Sequence, residues 1–248
     1  MSTIRQLTLP ASLAALGLPM AALADDYRAQ VDLSAAHTQA KITGTPDVDA
    51  FRAAGTYYFA PVSTDGLPLA EAAFLKRSSF VSAGALRTDD GDFDSEIYGL
   101  GVGYYLPGTI FYGELGVSYS DDFGRDDKTH VSGRVGITPL DGLQITTFFD
   151  EDGWDPNVSA KYVGKLPNSH FYAAGISLVD VDDGDVEAAF EFDYFIDPTF
   201  SVGTSLSEHA WTLRAEKFFT PSFAVGLEAF AGDDELGDGI SATVSWRF

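Results

Sequence analysis

The sequence predicts an all-β fold: a transmembrane antiparallel up-and-down β-barrel of fourteen strands, with twelve or sixteen as the alternatives. Three observations predict it. Segment after segment alternates apolar and polar residues with a period of two, the pattern of strands with one greasy and one wet face. The breaks between these segments fall into two chemical classes that alternate strictly along the chain. The polar face also carries charges in mid-strand, which a packed core would not tolerate and a wet interior would.

The chain opens with MSTIRQLTLPASLAALGLPMAALA: one basic residue, Arg5, an apolar stretch through Leu18, then Ala22-Leu23-Ala24. A basic start, a short apolar middle and small residues before a cut describe a secretory signal peptide over residues 1–24. Pro10 and Pro19 interrupt the run and no flanking charges hold it, which disfavours a membrane anchor. The barrel then occupies residues 25–248, carrying 14 basic and 37 acidic residues for a net charge of −23. So acidic a chain repels nucleic acid and is a poor partner for it. It has no cysteine, so an exported form must take its stability from elsewhere, and a closed hydrogen-bonded sheet is one source. Beyond residue 24 no apolar run approaches the ~20 residues of a membrane helix. Hydropathy does not separate a soluble protein from a barrel, because each strand averages its two faces.

One class of break contains proline: APVSTDGLP (60–68), LPGT (106–109), TPLDG (138–142), LPNS (166–169), IDPT (196–199) and TPS (220–222). The other is rich in acids: TGTPDVD (43–49), RTDDGDFD (87–94), SDDFGRDD (120–127), DEDGWDP (150–156), VDVDDGDV (179–186), SEH (207–209) and GDDELGDG (232–239). Proline and Asp-Gly pairs end strands and make turns for backbone reasons. Strict alternation assigns one class to each end of the sheet, and thirteen breaks give fourteen strands of 16 residues each with connections. That matches a membrane strand of about 9–11 residues plus its turn.

Strand by strand, the parity agrees. Phe111, Leu115, Val117 and Tyr119 oppose Glu114, Gly116 and Ser118; Val131, Val135 and Ile137 oppose Ser132 and Arg134. Val186, Phe190, Phe192 and Tyr194 oppose Glu187, Glu191 and Asp193. Trp211, Leu213 and Ala215 oppose Thr212, Arg214 and Glu216, and Phe223, Val225 and Leu227 oppose Gly226 and Glu228. Lys217 falls on the apolar side, where it can snorkel to the interface. LAEAAFLKRSSFVSAGALR (69–87) fits neither parity throughout, and a bulge is the expected cause.

A soluble β-sandwich alternates too. Aromatics tip the balance: Tyr57, Phe59, Tyr104, Phe111, Tyr119, Trp211, Phe223 and others gather near strand ends on the apolar face, as membrane–water girdles do. The final segment, ISATVSWRF, alternates to the last residue and must pair with DYRAQVDLSAA to close the sheet. Its ending, Trp246 and Phe248, resembles the terminal signature of bacterial outer-membrane barrels that their assembly machinery reads.

GTYYFAPVSTDGLPLAEAAFLKRSS (55–79) resembles the putative general bacterial porin family, through Tyr57, Tyr58 and Phe59 before a proline turn and then Pro68 to Leu75. The resemblance implies a passive outer-membrane pore and supplies no catalytic residue. The expected partners are outer-membrane lipid and lipopolysaccharide, the barrel assembly machinery, small solutes and further copies of the chain. No cofactor and no metal are expected.

Fourteen strands ~4.8 Å apart and tilted by about 40° enclose a backbone cylinder roughly 28 Å across, which inward side chains reduce to ~15 Å. No connection looks long enough to enter it as a constriction loop, though Phe148, Phe171, Phe195, Phe218 and Phe230 point inward. The expected lumen charges are Arg52, Glu114, Arg134, Lys161, Glu187, Glu191, Arg214, Glu216 and Glu228, with neighbours such as Glu114 and Arg134 neutralising each other. The acidic breaks hold 23 of the 37 acids, so one mouth is strongly negative and a modest cation preference is expected.

Sharper chemistry is weakly signalled. DVDDGDVE (180–187) clusters oxygens around a glycine as calcium loops do, but it lacks EF-hand spacing, and similar Asp-Gly clusters recur in other loops. A solvated hairpin tip explains it. His37, His130 and His209 sit near acidic breaks, where aspartates should raise their pKa, and no acid–His–Ser spacing for a barrel hydrolase emerges with them or with His170. A non-conducting structural or adhesive barrel is the other alternative, and short loops argue against elaborate partner recognition.

Overall fold

The computed structural model describes residues 26–248 apart from 43, 92–93, 123–126, 152–156, 169, 182–184 and 235. The predicted leader, residues 1–24, lies outside the described residues, as does the centre of the calcium-like loop. The described residues form fourteen strands: β1 (Asp26–Gln39), β2 (Val48–Ser63), β3 (Phe80–Asp89), β4 (Asp94–Tyr105), β5 (Phe111–Asp122), β6 (Lys128–Leu140), β7 (Leu143–Asp150), β8 (Val158–Lys165), β9 (Phe171–Val181), β10 (Asp185–Asp197), β11 (Phe200–Leu206), β12 (Ala210–Thr220), β13 (Phe223–Gly232) and β14 (Asp238–Arg247). Each pairs antiparallel with its sequence neighbours, and β1 pairs with β14 to close the barrel. All thirteen predicted breaks separate the strands they were expected to separate.

Closure follows from matched alternation. β1 and β14 pair from Gln30 opposite Arg247 to Gln39 opposite Asp238, so apolar Val31 and Leu33 lie beside Trp246 and Val244 on one face. Past the last strand residue, the Phe248 amide donates to the Ala29 carbonyl, and the Phe248 carbonyl accepts from the Arg28 and Ala29 amides. With both strand edges paired, no row of backbone groups is left to lipid.

One connection departs from expectation. Residues 64–79, between β2 and β3, hold a 3-10 turn (Leu69–Glu71) that runs into the short helix α1 (Ala72–Leu75). The strand with a bulge predicted across 69–87 is therefore a helical segment followed by a strand that begins only at Phe80. Gly66, at φ +68, and Pro68 break the extended chain, and Leu-Ala-Glu-Ala-Ala-Phe-Leu is composed largely of good helix formers. The failed parity was a change of period.

The expectation that no connection enters the lumen is also overturned. Leu69 packs on Phe218 of β12 and Ala224 of β13. Ala72 packs with Tyr27 of β1 and with Tyr58 and Val62 of β2. Ala70, Phe74 and Leu75 lie against Val163, Ala173 and Phe195 of β8, β9 and β10. A seven-residue segment that touches strands all round a closed ring lies inside it. The three buried clusters are thus the seat of a plug at the proline-break end. Since side chains alternate along each strand, those contacts fix which face is inward. The other face presents Leu100, Leu115, Leu213, Leu227 and Ile240 fully exposed, as a lipid-facing surface requires. At the plug end that surface is ringed by aromatics in contact: Phe219 with Phe223 at 6.0 Å, Phe223 with Trp246 at 5.6 Å, and Tyr162 with Tyr172 at 5.9 Å.

Candidate functional site: the charged lumen and its plug

The strand register places Arg52, Glu114, Arg134, Lys161, Glu187, Glu191, Arg214, Glu216 and Glu228 on the inward face, each separated by an even number of residues from a plug-contacting or plug-facing position on its own or the paired strand. Trp246 and Phe248, the expected closing residues, are on the outward face and at the seam respectively.

The wall is a set of ion pairs rather than a row of free charges. Arg134 Nη1 lies 3.4 Å from Glu114 Oε2, the neutralising pair expected from the sequence. Arg214 grips Asp193 bidentately, Nε and Nη2 each donating at 2.7 Å, with Glu191 3.7 Å away. Gly203 opposes Asp193 on β11, and a Cβ there would sit 1.9 Å from the Asp193 oxygen. The bare backbone makes room for that fork. Glu187 pairs with His209 at 3.2 Å near the acidic mouth. Arg52 is exposed to the interior between Ser34 and Leu86, with no carboxylate partner among the described residues.

Three cations hold the plug. Lys161 Nζ donates to Glu71 at 2.8 Å and lies 4.8 Å over the Phe74 ring. Arg77, itself at φ 50, donates through Nη2 to the carbonyls of Thr138 and Leu140 and to Asp141 on the β6–β7 turn. Arg247 is 6% exposed. Its guanidinium sits 4.5 Å from the Tyr27 ring and 4.4 Å from the Phe218 ring, and Nη1 donates to the Leu69 carbonyl at 2.9 Å. Nε donates to Gln30 at 2.8 Å. Opposite the Arg247 clasp, the Leu69 amide donates to the Pro198 carbonyl at 2.8 Å. Glu71, Arg77 and the clasping role of Arg247 were not legible beforehand: the first two lie in the stretch whose faces were unassigned, and Arg247 had parity but no partner.

Beside the plug the lumen remains hollow. A cavity of about 360 Å³ is bounded by Ala70, Glu71, Asp193, Arg214, Glu216 and Glu228. A second, of about 230 Å³, is bounded by Arg134, Gln144, Lys161, Glu191 and Asp193. Asp193 lines both, so the two adjoin. A uniform ~15 Å bore is replaced by a passage narrowed at one end.

At the other end, histidines meet carboxylates. Glu151 accepts from the Val131 amide and from His130 Nδ1; these bonds, the amide first, hold its carboxyl below the usual range. His209 lies between Asp233, 2.8 Å away, and Glu187. These bonds, Asp233 first, push its pKa above the ordinary 6.5. Glu187, Glu208 and His209 bring ligating atoms within 4.8 Å of one another, the one set among the described residues able to hold a metal. A raised folded value means the His209 contacts contribute fully below pH 6.5 and are lost as pH rises through the raised pKa. Imidazole NMR is expected to show His209 titrating above 6.5; an ordinary or lowered value would contradict these contacts.

Comparison with known proteins follows the same line. Residues 5–94 match the family described as putative general bacterial porin. The match spans the β1–β2 hairpin, the plug and β3, so the plug lies within the family region. The outer membrane protein Omp33 of Acinetobacter baumannii superposes with a TM-score of 0.74 at 24% identity, over 90% of this chain and 99% of that one. That likeness carries the fold. A triple-alanine-type mutant of the Rh. blastica porin aligns at 11% identity and a TM-score of 0.46, over 89% of this chain and 99% of that one. The KdgM porin aligns at 10% and 0.45, over 88% and 99%. No curated protein matches the sequence.

Proposed function

We propose that the protein is an outer-membrane porin: a water-filled path for passive diffusion of ions and small hydrophilic solutes, narrowed by its internal plug. The supporting observation is a closed barrel with an apolar exterior whose interior is lined by ion-paired charges around open cavities. Hydrated charge inside and hydrocarbon outside is the arrangement of an aqueous channel, not of a solid barrel. The porin-family match over residues 5–94 supports the same reading. The nine inward charges act here as the channel wall; lipopolysaccharide and lipid surround it, and the assembly machinery reads its final strand.

The acidic mouth gives a modest preference for cations that weakens as salt rises, because a negative vestibule concentrates counter-ions only within a Debye length. Reversal potentials across planar bilayers under a KCl gradient test it: a cation-selective potential that shrinks as total salt increases is expected, and anion selectivity at low salt would refute it. The plug also favours a second reading, a barrel that does not conduct and serves the envelope structurally. Absence of channel activity by correctly folded protein would select that reading.

A further inference from the structure

Lumen charges that already face an opposite charge present little net field to a passing ion. Glu114 is matched by Arg134, Glu71 by Lys161, and Asp193 and Glu191 by Arg214. Two inward carboxylates are left over. Among the described residues, neither Glu216 of β12 nor Glu228 of β13 has an ion-pair or hydrogen-bond partner. They stand on adjacent strands, Glu216 opposite Gly226 and Glu228 opposite Arg214, so the two are diagonal neighbours. Both line the 360 Å³ cavity beside the plug, with Ser241 and Thr243.

Neighbouring charges do not cancel them. Arg247 faces Glu216 but is buried between two rings and spends its donors on Leu69 and Gln30. Asp32, also inward, accepts from Ser245 and Gln30 and adds negative charge. Arg52, the unpaired inward cation, does not line this cavity. The narrowest part of the lumen therefore has an uncompensated negative wall, where low dielectric and confinement make each charge count for more than at an open mouth.

We infer that Glu216 and Glu228 are the specificity-determining residues of the channel, selecting small cations, potassium or organic ammonium ions, at the plug itself rather than at the acidic mouth. Side-chain hydroxyls of Ser241 and Thr243 in the same cavity can replace part of the shed hydration shell. This rests on the porin reading, and its consequences are separable from it.

The test compares reversal potentials under a KCl gradient for the full chain, the double variant E216Q/E228Q, and a mouth variant, E208Q/D234N, each refolded into the same bilayer. The lumen pair is expected to lose about half or more of the cation preference at every salt concentration, the mouth variant less and only at low salt. Glu228→Lys alone should carry selectivity toward anions, and it keeps the inference testable if the double variant does not refold. Tetramethylammonium permeability relative to potassium should follow the same order. Unchanged selectivity in E216Q/E228Q and in E228K, with conductance intact, would overturn this inference and leave the porin reading standing. A wild type that never conducts would overturn both.

Discussion

Replacing residues 67–77 with a short Gly-Ser linker is expected to raise single-channel conductance about two- to fivefold. The estimate follows from size: a helix with its side chains is about 10 Å across and stands in a bore of roughly 15 Å. The segment seals three buried clusters at the proline-break end, so its removal opens cross-section where the path is narrowest. The barrel itself should survive, because its ladders close without the plug. The variant should also be less heat-stable, since Tyr27, Tyr58, Phe195 and Phe218 lose the apolar surface they pack against. Planar-bilayer recording reads the first effect, and the boiling-induced shift on detergent gels reads the second. A conductance unchanged by the deletion would show that ions pass elsewhere.

Substituting Arg247 by Ala is expected to destabilise the folded barrel by about 3 kcal/mol and to raise mean conductance, with flickering between levels. The cost has two parts. The guanidinium stacks between Tyr27 and Phe218 in a buried niche, where a cation–π contact is worth about 2 kcal/mol. Its bonds to the Leu69 carbonyl and to Gln30 leave buried acceptors unsatisfied when it goes, about 1–3 kcal/mol more, partly offset by relaxation. Arg247→Lys should recover little of this, because an ammonium cannot lie flat between the rings while reaching both acceptors. Urea titration in detergent micelles measures the stability term. Arg247 ties the last strand to the plug, so its loss should affect conductance and stability together; loss of Lys161, whose clasp is half-exposed, should affect conductance more.

How much of this was legible in the sequence depends on what each residue's neighbours are. The strand number, the order of the breaks and the inward side of Arg52, Glu114, Arg134 and Glu228 could be read, because period two and turn chemistry are local properties. The Glu114–Arg134 pair was legible because its strands are consecutive. The plug was not. Its helical stretch is only seven residues long, too short for a helical period to declare itself, and showed only as a break in strand parity. Its partners Lys161, Arg247 and the Thr138–Asp141 turn are distant in sequence, so no spacing announces them. Lys217 was placed well: it sits at the β10–β11 turn, donates to Thr199 at 2.6 Å and lies over Phe200, the snorkelled position its parity implied. Selectivity was first read from the mouth because that is where the acids cluster in sequence; only pairing in three dimensions shows which wall charges are left uncancelled.

The central claim is that water and ions cross this barrel past a plug that narrows the path without closing it. Single-channel recording of the full, refolded chain in planar bilayers tests it most directly. Discrete, roughly ohmic steps, smaller than those of the chain lacking residues 67–77, are the expected result. A folded barrel that inserts yet gives no steps while the plugless form conducts would contradict it, and would make the plug a stopper.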